Sequence, residues 1–502
     1  MSSLNSQIKS DHTLMMMASN GRENFPPSVL YLTPIKGDEN LISNSVVNIN
    51  CENSDKRKRR KCKKKKKMDQ SANTELPQEI RTYRKRFFIL ILFSLYSASN
   101  AFQWLQYAII TRKISILYGI DDLFVNLTSM IYMIVFVPGM LPASYILDTK
   151  GIRVAILIGS LANFAGAFVK CFSLQQEQFV ITMIGQVLAS VANLFVLSIP
   201  PRLAAVWFDE KEVSTATSIG VFGNQLGICA GFFLPPLIVT SSTVDGISSQ
   251  LSLIFYGTAL LTGFLFVLIL LFLDDKPPSP PSIFAAKAKI TQEEISFFQS
   301  LRYLVTERNM ILLAISYGIN VGVFYAISTI LDQMIASAYP GEEAAAGRIG
   351  AIITVVGTVG AMCSGWILDR FHLFKETTLV LYLFSTIGLL GFTLTLNVSL
   401  PWSHLVAAFL GFFMTGYLPI GFEYAAEITY PQPEGNSAGL LNLSAQIFGI
   451  LLSLLATIMV SRFGFVMCNG ILSAMLFIGL VMTALIRGSL KRREASATVS
   501  YS

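Results

Sequence analysis

Histidine is scarce in this chain. His12, His372 and His404 are the only three in 502 residues, and they stand far apart. A histidine-built metal centre is therefore not expected. The six cysteines are scattered and form no CxxC pair, which argues against a zinc ribbon and suggests no disulfide framework. There is no GxxxxGK[ST] loop to cradle a nucleotide, no nucleophile elbow and no HExxH helix. An enzyme or an ATP-driven pump would lack the residues that do its work, and no cofactor is expected. Residues 1–30 are polar and show no cationic start followed by an apolar core, so a cleavable signal peptide is not expected either.

Charge is also scarce, at 14% of residues against 53% hydrophobic. The apolar residues fall in blocks of about twenty, the length that crosses roughly 30 Å of hydrocarbon at about 1.5 Å per residue. Twelve spans are expected. The first six are 87–110, 125–147, 152–171, 179–199, 213–239 and 251–273. The second six are 309–336, 348–368, 376–397, 402–424, 436–461 and 464–487. A backbone in lipid must satisfy its own hydrogen bonds, so the expectation is an all-α membrane protein.

The formal net charge of +7 is misleading if read globally. The tract KRKRRKCKKKKK (56–67) holds eleven of the 38 basic residues; the other 27 face 31 acidic ones, a balance of −4. The tract suits anionic lipid or a trafficking role better than nucleic acid. It lies within residues 1–85, which are polar and expected to form a disordered cytosolic N-terminus. A six-helix bundle is expected over 86–273, a cytosolic linker over 274–308, a second six-helix bundle over 309–488, and a tail over 489–502. Loop lysines and arginines gather on the linker side (Lys150, Arg153, Arg202, Lys276, Arg308, Arg370 and Lys375 among them), while the opposite side has Arg112, Lys113, Lys170, Arg348 and Arg462. The positive-inside bias then makes both termini cytosolic. Asn126 (NLT) and Asn397 (NVS) match the glycosylation pattern close to outer helix ends.

The halves carry traces of a repeat. Glu212, Ala216, Asn224 and Gly227 share offsets of 0, 4, 12 and 15 with Glu434, Ala438, Gln446 and Gly449. This places two amides, Asn224 and Gln446, at related depths on related helices. Trp104 lies eighteen residues past Arg86 in the first helix of one half; Tyr325 lies seventeen past Arg308 in the first helix of the other. Two readings compete for this pair. They are interface aromatics, or they face inward as two walls of one site, where ring faces suit a quaternary ammonium. Asn193, Asn224, Gln225 and Gln446 either join helices or line a cavity, since unpaired amides in hydrocarbon are costly. Phe324 and Met133 either pack or line the same cavity. Mid-membrane carboxylates are essentially missing, which leans toward facilitated rather than proton-driven transport. Asp148, Arg153, Arg202, Asp369 and Glu423 near linker-side helix ends are candidates for a cytosolic gate, or plain interfacial charges.

The stretches NAFQWLQY, PPRLAAVWF, EVSTATSIGVFGNQLGICAGFFLPP, YGINVGVFYAISTIL, YPGEEAAAGRIG, GFFMTGYLPIGFEYAAEITYP and EGNSAGLLNLSAQIFGI resemble the feline leukaemia virus subgroup C receptor family of the major facilitator superfamily. The resemblance runs from about 86 to 490 and leaves out the basic tract. It implies the major facilitator fold, two six-helix bundles related by a pseudo-two-fold axis, working by alternating access. It also implies a uniporter for choline and ethanolamine, with heme transport as a rival substrate. A plasma-membrane residence is expected, with an internal membrane left open, and a non-transporting receptor or scaffold working through the basic tract is the rival class. On the family pattern Trp104 and Tyr325 enclose the ammonium, Gln446 lies near the substrate, and Asn224 and Gln225 match an amide pair. Asn193 departs from it, standing in SVAN where the family commonly has Gln. Oligomeric state is not specified, and a monomer is the expectation.

Overall fold

The computed structural model describes residues 82–209, 212–279, 297–371, 373–430, 432, 434–487 and 491. The basic tract lies outside these, as do the side chains of Asp148 and Asp369. The described residues form helices and connecting turns. In chain order the helices are α1 (Lys85–Leu105), α2 (Thr111–Tyr118), α3 (Asp122–Leu147), α4 (Thr149–Lys170), α5 (Phe179–Val196), α6 (Ile199–Trp207) and α7 (Val213–Ile238). They continue with α8 (Val244–Phe272), α9 (Phe297–Leu304), α10 (Arg308–Ala338), α11 (Glu343–Phe371), α12 (Phe374–Leu396), α13 (Leu400–Thr429) and α14 (Glu434–Ala484).

Eleven apolar stretches among the described residues are long enough to cross a membrane. The last, Gly435–Ala484, has 50 residues, or about 75 Å of helix, far more than one crossing needs. It breaks at Gly464, whose φ of 79° is not helical. It therefore supplies two crossings, and the total is twelve, six before the linker and six after. Gly151, at φ 86°, makes the corresponding turn between α3 and α4. Large apolar side chains such as Leu260, Leu394 and Trp366 remain exposed along the spans, as a lipid-facing belt requires.

The first expected span needs correction. Residues 87–110 are not one helix: α1 stops at Leu105, a 3-10 turn covers Ala108–Ile110, and α2 begins at Thr111. Close helix approach rests on small residues, as lipid offers no hydrophobic drive between helices. A Cβ on Gly227 of α7 would stand 2.1 Å from the Ala98 backbone oxygen of α1, so only glycine fits.

The two halves meet along a seam on the side away from the linker. Asn126 of α3 donates through Nδ2 to Thr457 Oγ1 of α14 at 3.1 Å. Ser129 and Thr329 bond through their hydroxyls at 3.2 Å. The Arg112 backbone N–H donates to Asp332 Oδ2 at 3.3 Å. Asn126 is thus fully buried and already bonded, which removes it as a sugar acceptor in this conformation.

Candidate functional site

The end of α1 carries the polar run that the apolar pattern leaves unexplained. Asn100 Nδ2 donates to Asn163 Oδ1 and to the Ala189 backbone oxygen, at 2.9 and 2.8 Å. Gln103 Nε2 donates to the same Asn163 Oδ1 at 2.9 Å. These bonds fix the rotation of α1 against α4 and α5. Neighbouring residues on a helix point about 100° apart, so with Gln103 held on that side, Trp104 faces α3 and α10. Its indole N–H donates to the Ser129 backbone oxygen at 3.1 Å.

Trp104 meets Tyr325 of α10 edge-on, with ring centroids 5.2 Å apart and planes at 77°. The Tyr325 phenol interacts with the Gln446 side chain of α14. A Cβ added to Gly449, one turn along from Gln446, would lie 2.8 Å from both Met133 Sδ and a Tyr325 ring carbon. The structure therefore brings Trp104, Met133, Tyr325 and Gln446 together from four helices, two in each half. Trp104 is 8% exposed and Gln446 2%. The recorded contacts of this group are with rings, amides, a thioether and backbone, and none is with a carboxylate.

Other expected residues sit elsewhere. Phe324 touches Tyr325 at a centroid distance of 6.1 Å but lines a separate small apolar cavity with Phe232, Ile327 and Met414. Asn193, Asn224 and Gln225 are half-buried and hold no hydrogen bond to the Trp104–Tyr325 pair. The equal offsets of Asn224 and Gln446 do not produce equal surroundings. Gly227 presses on α1 inside its own half, whereas Gly449 faces across the seam to Met133. At the linker side, the Arg153 backbone N–H donates to Asp275 Oδ1 at 3.2 Å, Arg202 is half-buried and Glu423 is exposed. The ion pairs recorded there, Lys85–Asp274, Arg86–Glu212 and Lys491–Glu307, each lie within one half.

Sequence reasoning missed one residue outright. Lys170 counts as an outer-side cation by position, yet it is 1% exposed. Its Nζ donates to Gln103 Oε1 at 2.6 Å and to Gln186 Oε1 at 2.8 Å. Gln186 Nε2 in turn donates to the backbone oxygens of Gln103 and Thr128, at 3.1 and 3.0 Å. The available signal was a lysine ending an apolar block with glutamines in two neighbouring blocks, too weak a pattern to act on.

Chemically, two aromatic rings and an amide from opposite halves can hold a cation by ring faces without a counter-ion. The Major Facilitator Superfamily model matches residues 87–452. An uncharacterized MFS-type transporter of Caenorhabditis elegans is 47% identical over 83% of this chain and 72% of its own length. The choline/ethanolamine transporter flvcr2b of Danio rerio is 45% identical over 83% of this chain and 87% of its own. Among solved structures, a bacterial homolog of the human lysosomal transporter Spinster, inward-facing and unoccupied, superposes with a TM-score of 0.64 at 15% identity, covering 82% of this chain and all of that one. That last likeness concerns the fold alone.

Proposed function

This chain belongs to the feline leukaemia virus subgroup C receptor family of the major facilitator superfamily, and from that premise we propose that it is a facilitative carrier of choline and ethanolamine. It is a multi-pass membrane transporter and not an enzyme. The observation that carries the substrate reading is the contact between buried Trp104 and half-buried Tyr325, one ring from each half, backed by Gln446 and with no recorded carboxylate. A quaternary ammonium cannot donate hydrogen bonds and gains most from ring faces. Ethanolamine, with N–H donors, adds a bond to the Gln446 carbonyl.

In this reading the rings part to admit the cation, because edge-on contact at 5.2 Å leaves no space between them. Parting them moves one half against the other, which ties occupancy to alternating access. Asp148, Arg153, Arg202, Asp369 and Glu423 serve as the linker-side gate, opposite the seam of Asn126, Ser129 and Arg112. Uniport suits a site whose recorded contacts include no carboxylate to carry a proton. In this reading the linker and both termini are cytosolic, which the positive-inside bias of the loop cations supports, and the carrier works at the plasma membrane.

The test is labelled-choline uptake in cells expressing the full chain, beside Trp104→Ala and Tyr325→Ala at matched surface levels. Saturable uptake that falls roughly tenfold or more in both variants is the expected result. No saturable uptake by the parent chain, with normal surface expression, overturns the substrate reading. Uptake that survives both substitutions overturns the aromatic cage.

A further inference from the structure

Lys170 is a lysine buried among neutral groups. Its ammonium has three N–H donors and meets three partners: the amide oxygens of Gln103 and Gln186, and the ring of Tyr107, 5.8 Å from Nζ to centroid. That set suits the charged form, since an ammonium over a ring face and against two carbonyl dipoles is solvated by the protein. None of its recorded partners among the described residues is a carboxylate. An ammonium held in this way has no recorded carboxylate to cancel it. It stands one glutamine side chain and one residue of backbone from Trp104, a separation of roughly 10 Å.

We propose that Lys170 is a specificity-determining residue of the cation site, whose uncompensated charge weakens the binding of cations at Trp104 and Tyr325 and so keeps the site able to release them. The inference rests on the substrate reading above and adds a residue that does not touch the substrate. A unit charge at about 10 Å through an effective dielectric near 20 opposes a second cation by roughly tenfold in affinity. The same charge does nothing to a neutral molecule of the same shape. Gln103 and Gln186 serve a second purpose, since their bonds keep the ammonium pinned on the α4 and α5 side of α1 rather than beside the indole.

The experiment compares choline with its uncharged carbon isostere, 3,3-dimethylbutan-1-ol. The KM for labelled choline and the Ki of the alcohol against it are measured in cells expressing the full chain. Three variants are read beside the parent. Lys170→Gln removes the charge and keeps an amide donor. Gln103→Glu keeps Lys170 and supplies the missing carboxylate at the same place. Lys170→Arg keeps the charge. The ratio of KM to Ki is expected to fall several-fold, up to roughly tenfold, in both Lys170→Gln and Gln103→Glu, and to hold in Lys170→Arg. A purely structural role moves KM and Ki together and leaves the ratio at the parent value, which overturns the proposal. Should Lys170→Gln fail to reach the membrane, Gln103→Glu alone decides it. Absence of saturable choline uptake in the parent overturns the substrate reading instead, and this proposal with it.

Discussion

The Trp104 indole and the Tyr325 phenol touch edge to face, 5.2 Å between centroids, although 220 residues separate them in the chain. Each is anchored in its own half. Trp104 donates to the Ser129 backbone, and Tyr325 lies against Gln446 and Gly449. The contact is thus a joint between halves, set in an apolar cluster that draws on both of them.

Ring chemistry at Trp104 can be separated from its hydrogen bond. Trp104→Phe keeps a ring face but loses the N–H that Ser129 accepts. Choline KM is expected to rise by several-fold, less than the roughly tenfold or greater loss on removing the ring altogether. Uptake kinetics at matched surface level check it, and equal losses in Phe and Ala variants count against ring-face binding.

Gly449 gives a steric probe of the same place. Gly449→Val puts methyl groups where Met133 Sδ and the Tyr325 ring already stand, 2.8 Å from a bare Cβ. Overpacking of this kind costs about 1–3 kcal/mol. Choline uptake should drop at least tenfold while the protein still reaches the membrane, measured by uptake against surface labelling.

At Gly227 the neighbour is backbone, which cannot step aside as a side chain can. Gly227→Val drives into the Ala98 carbonyl and is expected to abolish accumulation of folded protein. Gly470→Val has open space around its Cβ and should leave yield and monodispersity by size-exclusion chromatography near those of the parent.

The seam away from the linker predicts a conformational bias. Thr457→Val deletes the acceptor of the buried Asn126 amide, at a cost of about 1–3 kcal/mol to the closed seam. A cysteine introduced at Thr329, itself in the seam, should then react several-fold faster with a membrane-impermeant thiol reagent than the same cysteine in the parent background.

Much of this architecture was open to reading from residue types alone. Twelve apolar blocks announce twelve crossings because lipid sets their length, and the structure places turns at Gly151 and Gly464 within a few residues of where the blocks part. The nearly equal depth of Trp104 and Tyr325 followed from counting residues inward from Arg86 and Arg308, while the count left open whether they face each other or the membrane interface. Their role as a binding pair did not follow from counting, and it stands here as a proposal. Lys170 was hidden for a physical reason. A lysine at a helix end usually reaches water, and its burial depends on glutamines from α1 and α5, 67 and 16 residues away. Asn224 misled for the opposite reason, since matching offsets fix depth along a helix but not which neighbour the helix turns toward.

The interruption of α1 immediately after Trp104 has a mechanical meaning. From Gln106 to Ile110 the regular ladder gives way to a 3-10 turn, with Ile110 at φ −129° and ψ 35°, and the Gln103 carbonyl is bonded by Gln186 from outside the helix. Bending costs less where the ladder is already broken. The indole sits at the fulcrum of a two-armed lever. The outer arm, Thr111–Tyr118, is tied to the other half through the Arg112 N–H and Asp332, while the inner arm carries the tryptophan.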